Sequence, residues 1–286
     1  MDAPSPSRHH RAGGLRRRRR RGGLGRAAET YDTVIPFFAE FGARLVELAD
    51  LRPGESVLDV GAGRGATLVP AAHRVGPSGR VLGVDLSEEM VALLTRDIDE
   101  LGLANSTARR MNAEALDVTA ESFDVALSSF VLHLLPRPDS AAANLWRALR
   151  PGGRVAASAP IGVGAQWGFL LPLLRRFAPR AVRPIPIPFR SDFDLELVLR
   201  SAGFRVQRSI DAEVAFVFAD EWAWWDWVWS AGMRALLEGL SPEDLEELRG
   251  EAFSELAALR TPEGLPLHQG ARLLIAEKPS ADRPEG

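Results

Sequence analysis

A short apolar strand, Ser56-Val-Leu-Asp-Val60, runs straight into three glycines, Gly61, Gly63 and Gly65, and no other feature narrows the fold so far. Closely spaced glycines after a strand let the backbone turn sharply and let a ligand approach without meeting a β-carbon. The spacing Gly61-Ala-Gly-Arg-Gly-Ala66 satisfies the dinucleotide fingerprint, whose last position tolerates alanine. Two details weigh against a dinucleotide. Asp59 stands two residues before the first glycine, where its charge repels a pyrophosphate but attracts a cationic amino group. Gly65 falls one residue earlier than a dinucleotide loop requires.

Downstream the chain keeps a strand–helix rhythm. The loop opens a helix over 66–75, and Arg80–Asp85 reads as a second strand. Ser87 caps a helix with Met90, Val91 and Leu94 on one face. Thr107–Met111 and Phe123–Ser128 read as the third and fourth strands. A helix over 140–149 then leads through the turn Arg150-Pro-Gly-Gly153 to a fifth strand, Arg154–Ser158. Buried strands alternating with helices predict an α/β fold, an open parallel sheet with helices on both faces. Ahead of it, Phe37, Phe38, Phe41, Leu45 and Val46 predict an amphipathic helix over 33–50. Behind it the proline-rich span 179–188 resists regular structure, and a helix over 193–202 stops at Gly203. Phe204–Ser209 resumes as a strand that Val214–Phe218 extends. Helices over 221–237 and 242–259 follow, and Ala271–Glu277 is the last strand.

Composition removes several classes. The absence of cysteine excludes a disulfide framework, cysteine nucleophiles and cysteine-held metals, and it fits a cytoplasmic protein. The five histidines, at 9, 10, 73, 133 and 268, form no ligand pair at helical spacing outside a low-complexity tail, so no metal is expected. No apolar run approaches the ~18 residues needed to cross a bilayer, so no membrane span is expected. Residues 1–26 hold nine arginines and one acid, Asp2. Taken from the chain's 35 basic and 38 acidic residues, they leave a body eleven charges negative. Such a body repels phosphates within a Debye length of about 8 Å, which argues against a nucleic-acid partner. The run Arg16–Arg21 reads as part of a disordered, self-repelling tail.

With these residues in place the sequence resembles a known family: class I S-adenosylmethionine-dependent methyltransferases of the small-molecule, bacterial natural-product type. The likeness is carried by Val57-Leu-Asp-Val-Gly-Ala-Gly-Arg-Gly65, Val84-Asp-Leu-Ser87 and Phe123-Asp-Val-Ala-Leu-Ser128. Val131-Leu-His133 and Leu149-Arg-Pro-Gly-Gly153 follow in family order, and Ala202-Gly-Phe204 and Ile275-Ala-Glu-Lys-Pro279 continue it. The resemblance implies a Rossmann-like, doubly wound, seven-stranded sheet whose last strand is antiparallel, with an added helical cap. It implies S-adenosyl-L-methionine as cofactor, S-adenosyl-L-homocysteine as product, and no metal. Asp59 with Gly61, Ala62 and Gly63 would hold the methionine end, and Asp85 would accept from both ribose hydroxyls. Leu86 and Met90 would pack on the adenine faces. Asn112, followed by Ala113, would stand where the family often places an acid against the adenine amino group. Ser128 and Ser129 would leave the fourth strand where the methyl donor points.

Methyl transfer from a sulfonium displaces an already activated carbon, so alignment supplies much of the rate and a base is needed only where the acceptor must lose a proton. His133, just after the fourth strand, is the first candidate base, against a reading as a structural histidine that hydrogen-bonds a loop. His268 is a lesser candidate. Tyr31, the only tyrosine, precedes the first helix in a segment that folds over the cofactor in similar enzymes, and is a candidate lid and catalytic residue. The run Glu221–Trp229 holds five of the seven tryptophans. At helical spacing Trp222, Trp225 and Trp229 share a face, which reads either as a cap packed on the body or as the wall of an apolar pocket. Phe37, Phe38, Phe41 and Phe130 join that wall. An aromatic pocket with few charges predicts a small hydrophobic acceptor (terpenoid, polyketide or quinone-like) in secondary metabolism.

The expected organisation is a disordered tail over 1–28, a lid helix over 29–50, a cofactor-binding core over 51–160 and a cap insertion over 161–190. Residues 191–279 complete the sheet around a tryptophan-rich cap, and 280–286 form a tail. The chain is compatible with a monomer or a homo-oligomer. The competing readings are a non-methylating cyclase or binding protein on the same cofactor pocket, a nicotinamide-dependent oxidoreductase, and an RNA methyltransferase tethered by the arginine tail. Asp59 and the lack of a recognisable hydride-transfer site disfavour the oxidoreductase.

Overall fold

The structure, a computed structural model, describes residues 36–163, 167–182, 193–230 and 234–280. The arginine-rich tail, Tyr31, most of the proline-rich span and residues 281–286 lie outside them.

Seven strands form one sheet: β1 (Ser56–Val60), β2 (Arg80–Asp85), β3 (Ser106–Arg110), β4 (Phe123–Ser129), β5 (Leu149–Val163), β6 (Arg205–Phe218) and β7 (Leu265–Glu277). Their order is β3-β2-β1-β4-β5-β7-β6. The first five run parallel, and β7 is antiparallel to both β5 and β6. This is the Rossmann-like sheet with an antiparallel last strand. Every residue of β1 is buried, as a central strand covered on both faces requires.

Helices α1 (Phe37–Leu48), α2 (Leu68–Val75) and α3 (Glu88–Glu100) bury their apolar stripes on one face. Helices α4 (Pro138–Ala148) and α6 (Leu195–Ser201) cover the other. The cap helices α5 (Leu170–Phe177), α7 (Glu221–Ser230), α8 (Arg234–Gly239) and α9 (Pro242–Ala257) join the first core. Because the chain leaves β1 toward β2 and later enters β4 on β1's other side, the two strands diverge at a switch point. Their carboxyl ends frame the crevice where such sheets bind ligands.

Several boundaries differ from the sequence reading. Helix α2 starts at Leu68 rather than 66, because Ala66 and Thr67 still belong to the loop. The turn after α4 lies inside β5, since Leu149 pairs with Phe123 before it and Arg154 with Val125 after it. Strands β6 and β7 are longer than read and continuous, pairing from Arg205 with Glu277 out to Phe218 with Leu265. The stretch read as one helix over 221–237 is described as α7 and α8. Lys278, the only lysine, fastens the end of β7: its buried Nζ donates to the carbonyls of Leu149 (2.7 Å) and Trp146 (3.1 Å) and meets Glu121 at 3.2 Å.

Candidate active site

The glycine loop is shaped by what stands over it. Gly61 has φ +72°, and a β-carbon built there would overlap the γ-methyls of Val131, the residue that follows β4's exit. The amides of Gly61 and Ala62 both donate to the Val84 carbonyl, at 2.8 and 3.0 Å, which folds the loop over the end of β2. From the other side α1 passes so near that a side chain at Gly42 would overlap the Ala66 carbonyl. Gly61→Ala should therefore destabilise the protein by about 2 kcal/mol, the sum of a left-handed backbone and a steric overlap. Thermal unfolding checks it: adding Val131→Ala should recover part of the loss, because it removes the overlap but not the strain.

Two carboxylates face this loop. Asp85, at the end of β2, accepts from the Gly63 amide through Oδ2 (3.0 Å) and from the Ser87 amide through Oδ1 (2.9 Å). Ser87 in turn caps α3 by accepting from the Met90 amide at 3.2 Å. Asp59 is fully buried on β1. Its Oδ2 accepts from the Thr67 hydroxyl at 2.7 Å, while Oδ1 finds no partner among the described residues. Burial pushes its carboxyl up to about 7, against the hydrogen bonds from Thr67 and the Leu68 amide, and the nearby charge of Asp85 pushes the same way. A cation beside the open oxygen would favour the ionised form of such a carboxyl. Thr67 was not singled out in the sequence, where nothing distinguishes it from a helix-start threonine.

The other predicted residues spread around the same rim. Leu86 is 64% exposed, an apolar side chain left bare beside Asp85, and Met90 lies on the first turn of α3. Ala113 is buried. The structure puts the Asn112 side-chain oxygen on the Glu114 amide at 2.9 Å, a local turn that occupies one of the oxygen's lone pairs. On β4, Ser128 is fully buried and its hydroxyl has no partner among the described residues. The Ser129 and Ser158 hydroxyls meet at 3.1 Å.

Phe130 takes φ +56°, a conformation strained for a non-glycine residue, and its amide donates to the Ser158 carbonyl and hydroxyl at 3.1 and 3.2 Å. The turn throws its ring into an aromatic cluster. Centroids lie 5.1 Å from Phe41, 5.4 Å from Phe37 and 6.1 Å from Phe38, and Phe37 continues the contact to Phe216 and Trp227. His133 follows on the 3-10 turn Leu132–Leu134, 7% exposed, with its ring near Phe130 and Phe193. Its Nδ1 has no partner among the described residues, and burial pushes its pKa down to about 4. His268 lies apart, on the exposed β6–β7 surface against Glu213 at 3.2 Å.

The tryptophan face is placed differently from the sequence reading. Trp222 is 54% exposed beneath the Arg249 guanidinium, and both Trp222 and Trp225 meet Phe253 of α9 edge-on. Trp229 packs on Trp225. That face is the seam between α7 and α9, and none of the three rings contacts the Phe130 cluster among the described residues. Trp227, which helical spacing leaves off that face, is the tryptophan that faces Phe37 and Phe218. Helical spacing groups side chains by face but does not say which face a neighbouring helix will cover.

No group of three or more histidine, aspartate or glutamate side chains among the described residues could hold a metal. None of their helices is long and apolar enough to cross a membrane.

Comparison with known proteins fits this arrangement. Residues 57–153 match a family described as a methyltransferase domain. The nocamycin O-methyltransferase of Saccharothrix syringae is 34% identical over 249 residues, spanning 82% of this chain and 89% of the relative. The aklanonic acid methyltransferase of Streptomyces sp. strain C5 is 36% identical over 158 residues, 55% of this chain and 72% of that one. A solved SAM-dependent methyltransferase from Aquifex aeolicus superposes with a TM-score of 0.51 at 24% identity, covering 64% of this chain and 91% of its own, and shows the shared fold. With a relative of this identity aligned along nearly its whole length, the chain belongs to the class I S-adenosylmethionine-dependent methyltransferases and is an enzyme of that kind.

Proposed function

We propose that the enzyme methylates a small, apolar acceptor of bacterial secondary metabolism. The observation that carries this is the aromatic cluster around Phe130. It stands at the carboxyl end of β4, directly beyond the glycine loop, and phenylalanines from α1 and β6 and Trp227 from α7 converge on it. A wall of this kind rewards flat or greasy ligands and offers a charged amine or sugar no partner. The two relatives above act, by their names, on natural products, which supports the same class.

The residues fit the cofactor. The orphaned Asp59 Oδ1 suits the cationic amino group of the methionine end, with the turn over Gly61, Ala62 and Gly63 leaving room for it. The Asp85 oxygens each keep a lone pair for a ribose hydroxyl. Exposed Leu86, with Met90, suits an adenine face, and Asn112 and Ala113 lie where the adenine edge would reach. Ser128 and Ser129 would stand beneath the transfer point. Bound there, S-adenosylmethionine supplies a methyl group on a positively charged sulfur, leaving S-adenosylhomocysteine. The chain's own contribution is to hold cofactor and acceptor in line and to keep water out.

The test is a transfer assay with methyl-labelled cofactor and a panel of polyketide acids, quinones, terpenoids and polar amines. Label should appear in apolar acceptors and not in ethanolamine or glycine. Transfer confined to the polar amines would overturn the reading.

A further inference from the structure

We propose that Gln269 selects the acceptor: its side-chain oxygen holds a hydroxyl at the end of the acceptor far from the transfer point. This rests on the apolar-acceptor reading above and narrows it to flat compounds longer than one ring that carry a distal hydroxyl. Alternation along β7 sets Gln269 between Leu267 and Ala271 on the face of the sheet that α1 and the cap cover. There it pairs with buried Val214 of β6, one step along from the pair Leu267 and Phe216, and the Phe216 ring meets Phe37. Gln269 is 4% exposed, an amide set in a run of apolar side chains.

That amide has one orientation. Its Nε2 donates to the carbonyls of Gly162 (2.6 Å) and Gly270 (2.7 Å). Both neighbours are acceptors, so the oxygen cannot take the nitrogen's place. Oε1 is therefore turned to the other side, where it accepts from no described residue. The nitrogen has a structural task, because the register of β5 against β7 shifts between Pro160 and Gly162 and Gln269 ties down the carbonyl beside that shift. The oxygen has none, and a nearly buried acceptor without a donor costs stability.

The position sets the length of the ligand. Four residues along β7 from Gln269, Leu273 pairs with Ser158, whose hydroxyl and carbonyl hold the Phe130 turn. At about 3.3 Å per residue, Gln269 stands about 13 Å along the strand from the transfer point proposed at the end of β4. A neutral amide oxygen is too weak a base to take a proton, so the hydroxyl it holds stays protonated and is not the atom methylated.

The test compares 2,6-dihydroxyanthraquinone with 2-hydroxyanthraquinone, which share a flat ring system and differ by one hydroxyl at the far end. Each is titrated, below the pKa of its hydroxyls, into the full chain loaded with S-adenosylhomocysteine. The wild type should bind the dihydroxy compound about tenfold more tightly, the value of one buried hydrogen bond. In Gln269→Leu that preference should fall to about twofold, the statistical gain of equivalent ends. A purely structural glutamine would weaken both compounds alike and leave their ratio unchanged. Where the variant fails to fold, labelled glutamine in the wild type decides, since the chain has only three glutamines. The dihydroxy compound should move the Gln269 side-chain amide signal beyond the place where 2-hydroxyanthraquinone leaves it, as the ring currents of the two are alike. Binding of both compounds with a wild-type preference of about twofold or less, a ratio unchanged in Gln269→Leu, or an amide signal that does not distinguish them overturns this inference alone. Binding of neither compound overturns the apolar-acceptor reading and this inference with it.

Discussion

Replacing Asp85 with alanine is expected to weaken S-adenosylhomocysteine binding by about two to four orders of magnitude, because two charge-assisted hydrogen bonds of ~1.5–3 kcal/mol each are lost together. In the proposed binding mode the carboxylate has two tasks. It fixes the loop by accepting from the Gly63 and Ser87 amides, and its remaining lone pairs are those a ribose diol would use. Asp85→Asn separates them. An amide keeps one accepting oxygen, but its NH2 group faces a backbone N–H, so binding should fall to a value between wild type and alanine. Calorimetry on the three proteins, with circular dichroism to confirm that each is folded, gives the answer. A loss smaller than threefold in the alanine variant would mean that the ribose does not sit at the end of β2.

How much of this was legible beforehand depends on whether a signal was local. Strands β1, β2 and β4 start where the sequence places them, and Ser87 caps α3 as read, because each carries its own hydrophobic run, turn or capping side chain. The glycine loop declared itself for the same reason. What escaped is settled by partners distant in sequence. The turn after α4 becomes strand because Gly152 and Gly153 bond to Lys278, more than a hundred residues away. Val214–Phe218 joins β6 without a break because β7 extends far enough to pair with it. Trp222 and Trp227 exchange roles because α9 supplies Phe253 and Arg249 to cover one face of α7. The position of His133 was readable from its place after β4. That its Nδ1 finds no partner among the described residues was not, since that depends on Phe193, sixty residues on, standing beside the ring where a polar group could have been.

Asp59 gives the second large effect, and its sign is set by burial. An unfolded aspartate titrates near 4, whereas the folded one is pushed up to about 7. Between those values the folded state holds a proton that the unfolded state has lost, so the ligand-free protein loses stability as pH rises, by about 4 kcal/mol in all, and the loss is complete above pH 7. Asp59→Asn removes that slope. It should melt higher than wild type at pH 8 without ligand, and the two should converge near pH 4. Ligand binding reverses the balance. An ammonium group set beside Oδ1 favours the ionised carboxylate, so S-adenosylhomocysteine binding at pH 6 should expel nearly one proton, and at pH 8.5 almost none from this group. Calorimetry at each pH in two buffers that titrate there with different ionisation enthalpies, such as phosphate and bis-Tris at pH 6, separates the two cases, because proton release makes the observed heat depend on the buffer. Asp59→Asn should bind more weakly and show no buffer dependence from this site at pH 6. The substitution that strengthens the empty protein is thus the one that weakens the loaded one. A wild-type heat independent of buffer at pH 6 would mean that the cation is held elsewhere and that Asp59 is buried for the sake of the Thr67 turn alone.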